Sequence, residues 1–167
     1  MRGAAHTPQL ASLKEDPLRV LGLYPKLLPD PCLGRWKYPY GIQTLAGPVL
    51  DNAFRALGSY LQRVRAERAE AVAAAVAADA PIPEEYNACA DLPDVILDTA
   101  LLRALLKIEH PFLAELAAAP NRCHIGVCEA ALLQAKRYRP LVALYRGRGL
   151  HTKALELLNK LGHESST

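Results

Sequence analysis

The stretch from Asn121 to Leu158 most constrains what this chain can fold into, because apolar residues recur there at helical spacing in three consecutive blocks. The blocks are Ile125, Cys128, Leu132 and Ala135; then Leu141, Leu144 and Tyr145; then Ala154, Leu155, Leu158 and Leu161. Pro140 suits the first turn of the second helix, and Gly147 and Gly149 offer the left-handed residue that ends it. The pattern predicts three short antiparallel helices joined by tight turns.

Helices this short bury their apolar faces only against neighbouring helices, which is the physics of an α-solenoid. Apolar residues make up 51% of the chain and are largely Ala and Leu, which favour helix. We therefore predict an all-α fold, an α-solenoid of short antiparallel helical hairpins similar to those of clathrin heavy chain and tetratricopeptide proteins. Seven residues are expected to form the hairpin core: Ile125, Leu132, Tyr138, Leu144, Tyr145, Ala154 and Leu158.

The 167 residues are predicted to form a single domain with two lobes. The parts are a lobe at 8–80, a linker at 80–93 marked by prolines, and a lobe at 94–162. Inside the first lobe, a proline- and aromatic-rich ordered loop at 24–48 precedes a long helix at 48–79. The apolar seam of that helix comprises Leu50, Phe54, Leu57, Leu61 and Val64, and it thins to Val72 and Val76.

Trp36, Tyr38 and Tyr40 lie in the predicted loop and are candidate partner contacts, since aromatic anchors dominate interface energetics. The simpler interpretation is that these rings bury the loop against the helices. The residues alone leave both interpretations open.

A set of basic residues surrounds the predicted turns of the last three helices. Its members are Lys136, Arg137, Arg139, Arg146, Arg148 and Lys153. Together they would form a positive edge that meets an acidic partner or lipid head groups, with Arg146 and Arg148 as candidate contacts. The more ordinary interpretation is that they are the solvated faces of amphipathic helices.

Cys123, His124 and Cys128 form the one cluster with ligand-capable atoms in the sequence. A structural zinc site needs a second pair of ligands, which the sequence lacks, and a catalytic pair needs an orienting third residue. Cys128 is therefore interpreted as a small core residue and His124 as a helix cap or turn residue. No phosphate-binding glycine motif is present. We predict no catalytic residue, no metal, no cofactor and no enzymatic activity.

Charge and hydropathy narrow the class of protein further. A net charge of +3, from 20 basic and 17 acidic residues, is too mild to indicate nucleic-acid binding. No apolar run reaches the roughly 20 residues of a membrane-spanning helix. The cysteines, Cys32, Cys89, Cys123 and Cys128, lack a disulfide-scaffold spacing, so a reducing cytoplasmic compartment is expected.

Three ordered blocks of residues resemble a known family. The first block comprises Asn121, Cys123-His124-Ile125, Ala135-Lys136, Tyr138, Leu144-Tyr145, Gly149-Leu150-His151 and Lys153-Ala154-Leu155. The second is DPLRVLGLYPKLLP at 16–29, and the third is LDTALL at 97–102. Together they resemble the vacuolar protein sorting thirty-nine family, also called Vam-six. The paralogous TGF-beta receptor-associated protein family fits the Cys-His-Ile block less well.

The resemblance implies a non-catalytic subunit segment of a HOPS-type complex that tethers endosomes and autophagosomes to the lysosome or vacuole. Its implied partners are other HOPS or CORVET subunits, and its implied location is cytoplasmic, peripheral on late endosomal and lysosomal membranes. Two alternatives stay open: a regulator or effector module for a Rab-type small GTPase, and an endosomal receptor-signalling adaptor of the CORVET type. Members of the family also carry an N-terminal β-propeller and a longer solenoid, so this chain is expected to be a fragment, a truncated isoform or an incomplete gene product.

Overall fold

The computed structural model describes residues 17–21, 24, 27–28, 47–80 and 91–164. These residues form helices and no strand, which confirms the all-α prediction for the described part of the chain. The helices are α1 Pro17–Leu21, α2 Gly47–Ala77, α3 Asp91–Lys107, α4 Phe112–Ala118, α5 Ile125–Gln134, α6 Tyr138–Gly147 and α7 His151–Glu164. Most of the predicted loop at 24–48, and residues 81–90 of the predicted linker, lie outside the described residues.

Helix α3 lies at the centre of the fold and contacts α1, α2, α4 and α5. Its buried apolar residues are Ile96, Leu97, Ala100, Leu101, Leu102, Ala104 and Leu105. These residues are distributed around the whole helix rather than along one face. Such a distribution is expected, because a helix that is covered by neighbours on several sides needs apolar residues on each of those sides. The helix begins at Asp91, inside the predicted linker at 80–93.

Helix α2 packs along α3 through most of its predicted seam. Phe54, Leu57 and Leu61 are buried, and Leu50 and Val64 are partly buried against the same core. Near the end of the helix, where the predicted seam thins, the covered side chain is not the predicted valine. Val76 is 69% exposed and the adjacent Ala75 is buried, because one residue turns a helix by about 100°.

The last three helices pack in succession, and α6 contacts α4, α5 and α7. Of the predicted hairpin core, Leu132, Leu144, Tyr145 and Ala154 are buried, Ile125 and Tyr138 are half-buried, and Leu158 is 49% exposed. The prediction that Leu158 belongs to the core was therefore wrong. Leu155, from the same predicted apolar block, is 62% exposed. Helix α7 faces α6 through Ala154, with Leu157 partly buried one turn later. In the described part of the chain, no further helix covers its opposite side.

Four helices end in the same left-handed turn, in which a residue with positive φ is followed by an N–H that donates to the carbonyl five residues back. The left-handed residues are Asp79 (φ 49°), Glu109 (φ 51°), Lys136 (φ 54°) and Gly149 (φ 70°). The N–H···O distances after them are 3.0, 3.0, 2.9 and 2.8 Å. Gly149 thus ends α6 as predicted, while Gly147 is the last residue of the helix itself.

Replacing Ala154 by Leu should lower the free energy of unfolding by about 1 to 3 kcal/mol, because Ala154 is 5% exposed within the core and a larger side chain overpacks it. Ala130→Leu, at an exposed position of α5, is the matched control and should change stability by less than about 0.5 kcal/mol. Urea unfolding measures both. Equal midpoints for the two variants would mean that α7 presents a different face to α6.

Candidate functional site

A polar joint connects α3 to the loop that precedes α5, and we define it as Asp98, Thr99 and residues 121–124. One carboxylate oxygen of Asp98 accepts a hydrogen bond from the backbone N–H of Arg122 at 2.7 Å, and the other accepts from Nε of Arg65 at 3.1 Å. The hydroxyl of Thr99 accepts from the backbone N–H of His124 at 2.8 Å. Two successive residues of a buried helix therefore hold alternate N–H groups of the loop.

Asn121 organises the loop from within. Its Nδ2 donates to the carbonyl oxygens of Leu116 at 3.2 Å and Ala119 at 2.9 Å, and its Oδ1 accepts from the N–H of Cys123 at 3.2 Å. Arg148, just after α6, donates to the carbonyl oxygen of Asn121 at 2.8 Å. The joint therefore links the ends of α4 and α6 to α3 and α5.

Cys123 lies inside this joint and is 1% exposed. Its Sγ donates to the carbonyl oxygen of Asp98 at 3.4 Å. A hydrogen bond with Cys128, and after it burial, raise the pKa of the Cys123 thiol far above its usual range. The thiolate is the nucleophilic form of cysteine, so this environment makes Cys123 a poor nucleophile.

The predicted structural roles of His124 and Cys128 are confirmed. His124 is the N-cap of α5, and its Nδ1 accepts a hydrogen bond from the N–H of Val127 at 3.3 Å. Cys128 is fully buried in the core. Among the described residues, no group of three or more His, Cys, Asp and Glu side chains is arranged to hold a metal ion.

His124→Ala should destabilise the chain by about 1 kcal/mol, because the substitution removes the acceptor for one N–H of the first turn of α5. His124→Asn supplies a preferred capping side chain and should restore most of the loss. Chemical denaturation with urea measures the difference. Equal destabilisation by Ala and Asn would show that the imidazole acts through packing rather than as a cap.

The six predicted basic residues lie in different surroundings. Arg148 is bonded to Asn121 in the joint, and Lys153 donates to Oε2 of Glu129 at 3.0 Å. Arg146 is exposed beside a small cavity lined also by Ala118, Ala143, Gly147 and His151. Lys136, Arg137 and Arg139 line a separate cleft. The predicted aromatic contacts, Trp36, Tyr38 and Tyr40, lie outside the described residues.

Tyr145 is buried where α5, α6 and α7 meet. Burial, followed by the hydrogen bond with Glu129 and that residue's negative charge, raises the pKa of Tyr145 to about 12. Lys153 lies with its Nζ 5.7 Å from the centre of the Tyr145 ring while it bonds Glu129. One side chain from each of three helices thus forms a compact polar cluster.

Tyr145→Phe should reduce the loss of stability at alkaline pH. An unfolded tyrosine loses its proton near pH 10, whereas the folded one keeps it up to a pKa of about 12. The contribution of Tyr145 is therefore complete below pH 10 and is lost as pH rises through 12. Unfolding by urea across this range, in wild type and variant, measures it. Parallel stability curves for the two proteins would contradict the assignment.

Sequence reasoning missed the roles of Asp98, Thr99 and Arg65. Asp98 and Thr99 form a polar pair inside an otherwise apolar run, which is a signal that buried partners are required. Arg65 offered no such signal, because its partner Asp98 is 33 residues away along the chain.

Comparisons with known proteins now connect the joint to a family. A family model described as vacuolar sorting protein 39 domain 1 matches residues 97–167, a range that includes the whole joint. The mouse Vam6/Vps39-like protein is 34% identical over 153 residues, and the human one is 33% identical over the same length. Each match covers 89% of this chain and 17% of the relative. Vacuolar sorting protein 39 of Arabidopsis thaliana is 42% identical over 73 residues, 43% of this chain and 7% of its own length.

Two further findings concern the solved structures and the membrane. No solved structure matches it significantly. Within the described ranges, no helix combines the length and the apolar character that crossing a membrane requires.

The matched family segment and the similarity over most of this sequence agree with the residues that first suggested the family. The chain therefore belongs to the vacuolar sorting protein 39 family.

Proposed function

We propose that this chain is a non-catalytic scaffold segment of a HOPS-type complex that tethers endosomes or autophagosomes to the lysosome or vacuole. The observation that carries the proposal is the structural role of the residues that match the family. Five of these residues make hydrogen bonds that connect α3 to the loop, order the loop, or cap α5, so they serve the connection between helices. They are Asp98, Thr99, Asn121, Cys123 and His124. Several of the relatives are named for vacuolar sorting.

A solenoid arrangement is part of this proposal, and the order of the helices supports it. Short helices follow one another from α4 to α7, and α3, α5 and α6 end in the same left-handed turn. The outer side of α7 exposes Leu155 and Leu158, which suits stacking by further helices in a longer protein. We propose that the segment acts as a spacer between other parts of the tether, which places it peripherally on late endosomal and lysosomal membranes.

A chimera tests the proposal. This chain would replace the segment that it matches in the mouse Vam6/Vps39-like protein, in cells that lack that protein. We expect the chimera to restore delivery of endocytosed cargo to lysosomes and to co-precipitate with the other HOPS subunits. A chimera with Asp98→Ala should lose both, whereas one with Lys160→Ala, at an exposed position of α7, should keep both.

Three results would contradict the proposal. Full rescue by a protein from which the segment is deleted would show that no spacer is required. Co-precipitation with CORVET-specific subunits alone would favour the receptor-adaptor alternative. Acceleration of nucleotide release from a late-endosomal Rab by the purified chain would favour the GTPase-regulator alternative.

A further inference from the structure

A cleft of about 390 Å³ lies between two turns that are far apart in the sequence. One side is the turn between α3 and α4, at Glu109 and His110. The other side is the turn between α5 and α6, at 136–137, together with the first residues of α6, at 138–140. We call it the turn cleft. Packing of α4 against α6 brings the two turns together, so the cleft is built into the fold.

The rim of the turn cleft is positively charged. Lys136, Arg137 and Arg139 line it together with one carboxylate, that of Glu109. Arg137 and Glu109 pair across the cleft at 3.0 Å. Lys136 and Arg139 are exposed and have no acidic partner within the described ranges. Two positive charges are therefore available to a ligand.

The remaining lining of the cleft is largely apolar. Apart from His110, it consists of Pro111, Leu113, Ala114, Tyr138 and Pro140. Leu113 is buried and Ala114 is exposed to the cleft side of α4. Helix α6 begins beside the cleft, and its N-cap Arg137 makes no side-chain hydrogen bond to the first turn. The positive end of the helix dipole therefore adds to the positive electrostatic potential of the cleft.

We propose that the turn cleft binds a short acidic peptide segment of a partner protein, with one apolar side chain inside and flanking carboxylates on Lys136 and Arg139. Charge complementarity and the apolar lining favour this occupant over a phosphorylated lipid head group. A polyphosphate needs several converging cations. Here Arg137 is already paired with Glu109, which leaves two exposed cations, Lys136 and Arg139. The scaffold role described above does not require this site, so the two proposals can fail independently.

Fluorescence anisotropy with a labelled peptide, Glu-Asp-Leu-Asp-Glu, tests the site on the full chain. We expect saturable binding that weakens as salt rises. The double variant Lys136→Gln, Arg139→Gln should weaken binding roughly 2- to 30-fold, the range that two exposed ion pairs provide. The control variant Lys107→Gln, Lys160→Gln removes the same charge from exposed positions outside the cleft and should leave binding unchanged.

Ala114→Phe fills the interior without changing charge and should abolish the preference for the leucine peptide over one with serine in its place. Circular dichroism establishes that each variant folds. Equal weakening by the two charge variants would overturn the proposal, because it would show attraction to the whole surface. Absence of peptide binding would overturn it too. The proposal would also be overturned if the chain bound phosphatidylcholine vesicles that contain a phosphatidylinositol monophosphate more tightly than it binds the peptide.

Discussion

Asp98→Ala should lower the free energy of unfolding by about 2 to 4 kcal/mol, the largest effect we expect from a polar substitution. Asp98 is 8% exposed and accepts hydrogen bonds from the N–H of Arg122 and from Arg65. Its removal leaves a backbone N–H without its acceptor and a half-buried guanidinium without its counter-charge. Urea unfolding followed by circular dichroism measures the loss.

Two variants separate this effect from a general loss of charge. Asp98→Asn keeps one acceptor oxygen and should retain part of the stability. Glu67→Ala removes the partner of Arg63 in an exposed pair on α2 and should cost less than about 1 kcal/mol. If Asp98→Ala and Glu67→Ala had equal effects, the polar joint would not support the fold.

Leu101→Ala should destabilise the chain by about 2 to 5 kcal/mol, because it opens a cavity in the central helix. Leu101 is 1% exposed on α3, which four other helices contact, so little of the space can be filled by local movement. Leu155→Ala deletes the same atoms from a side chain that is 62% exposed and should change stability by less than about 0.5 kcal/mol. Thermal unfolding of both variants compares them.

Similar melting temperatures for the two leucine variants would contradict the arrangement of the core. They would mean that α3 is not surrounded, or that Leu155 is covered by another part of the molecule.

The last three helices and some of their ends could be predicted from the sequence because their signals are local. The apolar spacing from Ile125 onward, the cap at His124 and the left-handed Gly149 each depend on residues within one or two turns. Such patterns also indicated that the chain is all-α.

The central position of α3, the joint and the cleft could not be predicted, because they depend on contacts between distant residues. Asp98 meets Arg122 across 24 residues and Arg65 across 33. The predicted burial of Ala154 on α7 is confirmed, but periodicity could not show that Leu158, on the same predicted apolar side, would be left exposed. The same limit applies to Glu109 and Arg137, which pair only because α4 packs against α6.

Amide hydrogen exchange at Arg122 and His124 is the most direct test of the claim that the family-matching residues join the helices. These two N–H groups donate to Asp98 and Thr99. We expect both N–H groups to exchange as slowly as the buried amides of α3, and we expect Thr99→Val to accelerate exchange at His124. Exchange in the unmodified chain as fast as that of unprotected loop amides would contradict it.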